Sequence, residues 1–172
     1  MNIDIKALQE ELETQTASTQ LFLPPGIHEG VKLTNVMIKD TPMNVRVLEM
    51  TFEKDGKKTY YTEWLDEDKA EEAKKKVVMG VLQVLKAIVP KTILDSMVVV
   101  DTLGEFAEKT VLVLNNFKDT VNLRLKTVYI KDKVTIPLHS RYPWIENMIE
   151  PNSKIQILPR DMLTPPAAEQ AA

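Results

Sequence analysis

"NVRVLEMTFEKDGKKTYYTEWLD", residues 44–66, reads as two strands joined by a tight turn. Successive side chains of a strand point to opposite faces, so Leu48, Met50 and Phe52 share one face and Val47, Glu49, Thr51 and Glu53 the other. The even set is the expected core face. Between the arms stands Lys54-Asp55-Gly56-Lys57, and an Asp-Gly pair readily takes the positive φ angles that a two-residue hairpin turn demands. In the second arm Tyr60 and Trp64 fall on one face and Tyr61 on the other, so at least one ring is expected at the surface.

Working outward, GIHEGVKLTNVMIKD (residues 26–40) is expected to form the strand before this hairpin, with a break at Asp40 to Pro42. LFLPPG before it marks a turn, two prolines fixing φ and a glycine relaxing it. Further upstream, Ile5, Leu8 and Leu12 in NIDIKALQEELE stand at helical spacing, predicting a short amphipathic helix that docks on the body or on a partner, with TQTASTQ as its polar linker.

Downstream, Val77, Val81, Val84, Leu85 and Ile88 form an apolar stripe of helical period, ended by Pro90. Asp66 or Asp68 is the expected cap, with Glu71 completing a capping box after Asp68. Gly80 in mid-helix costs roughly 1 kcal/mol relative to alanine, unless another backbone comes close there. From Lys91 to Phe106, TILDSM reads as one more helical turn and SMVVVD as a short strand. Strands are then expected in KTVLVLNNF, TVNLRLKTVYI and KVTIPLH, with Pro137 marking an edge strand or its end. The tail from Arg160, RDMLTPPAAEQAA, is expected to be disordered.

Three strands, a helix, then two or three strands is the order of an OB-fold, a five-stranded Greek-key barrel with a helix between its third and fourth strands. The expected class is therefore mainly β with α (α+β): an OB-like barrel plus a short N-terminal helix. Residues 1–20 hold the helix and linker, 21–160 the domain and 161–172 the disordered tail.

Composition fits one soluble domain: 172 residues, 44% hydrophobic and 27% charged. There is no cysteine, which removes disulfides, thiolate metal sites and cysteine nucleophiles. The acidic N-terminus lacks the features of a secretory signal and no window reaches the length of a membrane span, so a cytoplasmic protein without membrane contact is expected. The formal net charge is −3, yet the segment from Lys109 to Arg141 carries +5 and leaves −8 on the remainder. Within it, VNLRLKTVYIKDK (residues 121–133) alternates apolar side chains with Asn122, Arg124 and Lys126, followed by Lys131 and Lys133.

The stretches LPPGIHEGVKLTNVMIKD, LEMTFEKDGKKTYYTEW, VLQVLKAIVP and VNLRLKTVYIKDKVTIPLHSRYPWIENM, spanning about residues 21 to 150, resemble bacteriophage single-stranded DNA-binding proteins of OB-fold type. The resemblance implies binding of single strands in DNA replication or recombination, in the host-cell cytoplasm, with no reaction catalysed. Many such proteins end in an acidic tail that recruits partner enzymes, whereas TPPAAEQAA holds a single acid, Glu169. Recruitment of replication or recombination proteins is then expected to use the acidic N-terminal helix, and homo-oligomer formation stays open.

Single-strand binding needs cations for phosphates and rings on which bases stack. The expected cations are Arg124, Lys126, Lys131, Lys133 and Arg141. The expected rings are Tyr60, Tyr61, Trp64, Tyr142 and Trp144, the last two in a loop, HSRYPW, with Arg141. Plain solvated surface accounts equally for the lysines, and core packing for the tryptophans. The binding face would be built from the hairpin of residues 45–65 and the strand of residues 121–130. His28 and His139 lack the spacing of a paired metal site, the acids from Asp66 to Glu72 suit a helix start, and Lys74, Lys75 and Lys76 suit partners for Glu71 and Glu72. No phosphate-cradling glycine motif or nucleophile elbow occurs. A non-enzymatic binder without cofactor or metal is the expectation. The alternative is a virion structural or assembly protein whose small barrel packs against other proteins.

Overall fold

Asp55 (φ 51°) and Gly56 (φ 76°) turn the chain between Lys54 and Lys57, which face each other in register, so the central hairpin forms as the Asp-Gly pair dictates. The computed structural model describes residues 4–10, 12, 21–97, 100–137 and 142–165. Helix α1 occupies residues 5–10. The strands are β1 (Gly26–Asp40), β2 (Arg46–Lys54), β3 (Lys57–Trp64), β4 (Leu123–Ile130), β5 (Lys133–Thr135) and β6 (Ile145–Asn147). Between β3 and β4 lie α2 (Glu71–Ile88), α3 (Lys91–Asp95) and α4 (Leu103–Asn115).

The protein is α+β, with a six-stranded antiparallel sheet in the order β3-β2-β1-β4-β5 and β6 paired to β4. β1 joins the two halves. Its residues 32–40 pair with β2 and residues 26–31 with β4. The register shifts between Glu29 and Val31, where Gly30 takes φ 77°, the positive angle a bulge residue needs and glycine accepts at no steric cost. Among the described residues no ladder joins β3 to β5, so the sheet is open.

The core lies between the sheet and the helices. Leu48, Met50 and Phe52 are fully buried against Val77, Val81, Val84 and Leu85 of α2, the two periodicities meeting as the sequence predicts. Gly80 has a different reason from the one expected. A Cβ there would fall on the Tyr61 hydroxyl, so the glycine makes room for a side chain and not for a backbone.

Several expectations are corrected. KTVLVLNNF is not a strand: it belongs to α4, whose Leu103, Phe106, Ala107, Thr110 and Leu114 form a buried helical stripe. Thr102 accepts the Glu105 N–H at 3.1 Å, and the Glu67 carboxylate accepts those of Leu103 (3.1 Å) and Gly104 (2.9 Å). The first-turn donors that a helix leaves unanswered are thus met. Neither Asp66 nor Asp68 caps α2, whose N-cap is Ala70. TILDSM does supply a helical turn, α3, while SMVVVD runs into residues 98–99, which lie outside the described residues. HSRYPW is followed directly by strand β6.

The tail boundary also moves. Residues 150–162 run along β4: the Tyr129 N–H donates to the Met162 carbonyl at 2.8 Å, and Ile155 is buried. The segment from Arg160 is therefore packed structure through residue 162 at least. No helix among the described residues is long and apolar enough to cross a membrane.

Candidate nucleic-acid interface

Arg124 and Lys126 do lie on one side of β4, opposite Leu123 and Leu125, but both are occupied by carboxylates. Lys126 is 0% exposed, with Nζ donating to Asp161 Oδ2 at 2.8 Å and to the Gln156 carbonyl at 3.1 Å. Arg124 donates to Glu146 at 3.0 Å, Glu29 at 3.2 Å and the Glu150 carbonyl at 3.2 Å. Burial works against the Asp161 carboxylate, yet hydrogen bonds from Lys126 and the Leu158 N–H, with the charges of Lys126 and Arg160, hold its pKa below the usual range. Glu146 is treated alike: burial is outweighed by hydrogen bonds from Ser153, the Lys154 N–H and Arg124. These are internal ion pairs under the strap of residues 150–162. The expectation that Arg124 and Lys126 meet phosphates is corrected.

Two of the expected rings are withdrawn as well. Tyr61 and Trp144 are each 1% exposed and stack on one another, with centroids 5.3 Å apart and planes 25° from parallel. The Tyr61 hydroxyl donates to Glu63 Oε1 at 2.7 Å, and burial first, then the Glu63 charge, pushes its pKa far above that of a free tyrosine. Tyr142 is exposed, but the Arg160 guanidinium covers its ring at 5.1 Å from the centroid. Arg141 and His139 lie outside the described residues. His28 sits against the Pro24 carbonyl at 2.6 Å and Thr127 Oγ1 at 3.4 Å, a structural setting.

Tyr60 and Trp64 also reach solvent, 41% and 40% exposed on the outer face of β3. Four residues apart on one strand, they are spaced by about 13 Å. Phe22, which sequence reading passed over, meets Tyr60 edge-on with centroids 6.4 Å apart. It is placed there because the Leu23 N–H donates to the Lys58 carbonyl (3.0 Å) and the Lys58 N–H to the Leu21 carbonyl (2.7 Å), tying LFLPP to the start of β3.

Beside these rings the open side of the sheet forms a groove of about 820 Å³ between β3 and β5. Tyr60 and Thr62 of β3, Leu23 with its prolines, and Tyr129, Lys133 and Val134 line it, and the acid Asp132 lines it beside Lys133. Lys133 and Lys131 are exposed at the β4–β5 turn, and Lys58 lies on the same β3 face as Tyr60. None of these three forms an ion pair among the described residues. Acids are also present: Glu53 stands opposite Lys58, and Glu49 is answered by Lys39 at 2.7 Å. Lys58 was legible in KDGKKTYY, where alternation sets it on the face of Tyr60 and Trp64.

β1 lies between the hairpin and β4 in the strand order, so the two are not neighbours in the sheet. They meet across the groove, through Tyr60 and Tyr129. Comparison with protein-family models, with curated proteins and with solved structures returns no match.

Proposed function

We propose that the chain binds single-stranded DNA, with weak sequence preference, along the outer face of β3 and the β3–β5 groove. Bases would stack on Trp64, Tyr60 and Phe22; Lys58, Lys131 and Lys133 would meet phosphates. The observation that carries this reading is the pair of exposed rings, Tyr60 and Trp64, on one strand face beside an open groove lined by Lys133, with Lys58 on the face of Tyr60 and Lys131 at the turn of Lys133. Stacking platforms next to a cationic track are what single strands require, each stack contributing about 1–3 kcal/mol.

The strand order supports reading the domain as a partly open OB-like Greek-key barrel, with β3 and β5 as its unclosed seam and α2 to α4 between the third and fourth strands. Under this reading the protein serves phage replication or recombination by holding single strands, without catalysis or cofactor. A rival reading is a virion structural or assembly protein, in which exposed apolar side chains such as Met43, Leu112 and Ile149 would contact other proteins. Fluorescence anisotropy of a labelled oligothymidylate, compared with a duplex of equal length over a salt series, separates the two. Salt-sensitive binding of the single strand in preference to the duplex supports the proposal; absence of binding at low salt rejects it.

A further inference from the structure

Helix α1 stands with its apolar side in solvent: Ile5 is 67% and Leu8 50% exposed. Apart from Lys6, the charges of residues 1–13 are all acidic, Asp4, Glu10, Glu11 and Glu13. A cleft of about 600 Å³ opens along α2. Lys76, Met79, Gln83 and Lys86 follow one another at helical spacing along it, Leu82 adds an apolar edge, and the Gly80 gap exposes the cleft to the buried Tyr61–Trp144 stack. Lys75 and Glu72 also line it and pair with each other at 3.6 Å, which leaves Lys76 and Lys86 to set the charge of the rim. The helix is acidic and amphipathic; the cleft is apolar at its base and basic at its rim. Amphipathic helices dock in such grooves through side chains at i, i+3 and i+7, the spacing of Ile5, Leu8 and Leu12. In its own chain α1 does not occupy the cleft, since its apolar side is exposed.

We propose that the α2 cleft takes the α1 helix of a second copy of this chain, and that two copies exchange helices reciprocally. The same surface on both partners closes such a pair without leaving a free docking site. The inference rests on α1 and α2 alone and is independent of single-strand binding.

The test uses full-length chains and mass measurement by light scattering or sedimentation. The wild type should double its mass as concentration rises. I5D/L8D, which spoils the helix, and K76E/K86E, which reverses the cleft rim, should each weaken association by at least about tenfold. All four positions are exposed, and circular dichroism with thermal melting checks that both variants fold. Mixing them restores one intact helix and one intact cleft per pair, so a one-to-one complex should appear that neither forms alone. A wild type that stays monomeric at high concentration overturns the proposal, as would variants that associate unimpaired or a mixture that does not pair.

Discussion

Lys126 and Asp161 form a buried ion pair, Nζ to Oδ2 at 2.8 Å, with side chains 1% and 7% exposed. It fastens the strap of residues 150–162 over β4. Removing one member leaves the other charge without its partner in a dry site, which costs about 3–5 kcal/mol. Lys126→Ala and Asp161→Ala should each lower the urea midpoint accordingly, and the double variant should lose less than the two added together. Strict additivity would show that the two side chains do not interact.

The same ion pairs make stability depend on acid. The folded state holds Asp161 and Glu146 below their ordinary pKa values, so the unfolded chain takes up these protons first. Their contribution is present in full above the ordinary carboxylate range, near about pH 4, and is lost as the pH falls through the folded values. Urea melts from neutral pH downward should show stability declining on that limb, and Asp161→Asn should make the decline shallower. An unaltered acid limb would remove Asp161 from the account.

Gly80 is coupled to Tyr61. Alanine favours a helix interior by about 1 kcal/mol, yet here its Cβ would strike the Tyr61 hydroxyl, and overpacking costs about 1–3 kcal/mol. Gly80→Ala should therefore destabilise the protein, and its penalty should shrink when introduced beside Tyr61→Phe. Thermal melts of the four proteins in this cycle decide it; a stabilising Gly80→Ala would contradict the packing described.

Salt dependence separates the two sets of cations. Replacing Lys58, Lys131 and Lys133 with Gln should leave thermal stability near wild type and reduce the salt slope of oligothymidylate binding by about 0.7 for each phosphate that is no longer neutralised. Arg124→Ala should do the reverse, lowering stability while leaving the slope in place. The opposite pattern would return the binding face to β4.

Much of the frame was legible because local rules and tertiary packing agree in it. The span of β1, the Asp55-Gly56 turn and the buried stripe of α2 follow from alternation, turn chemistry and helical period. Helix α4 was misread because VLVL is rich in β-branched and apolar residues, which suit a strand equally well. Its start was nonetheless encoded in Thr102-Leu-Gly-Glu105, where the threonine caps the glutamate N–H. At the site, alternation separated Tyr60 and Trp64 from Tyr61 correctly. It also set Arg124 and Lys126 opposite the core, but could not reveal that PNSKIQILPRDM, a stretch without period, folds back over that face and brings Asp161 to Lys126.

The chain has two tryptophans, Trp144 buried and Trp64 exposed on the proposed stacking face. Tryptophan emission during titration with unlabelled poly-dT therefore tests the central claim directly. Binding on Trp64 should give quenching that added salt reverses and that disappears in Trp64→Phe, whose remaining signal comes from Trp144. Emission that stays constant at high polymer concentration, or quenching that survives in Trp64→Phe, would contradict it.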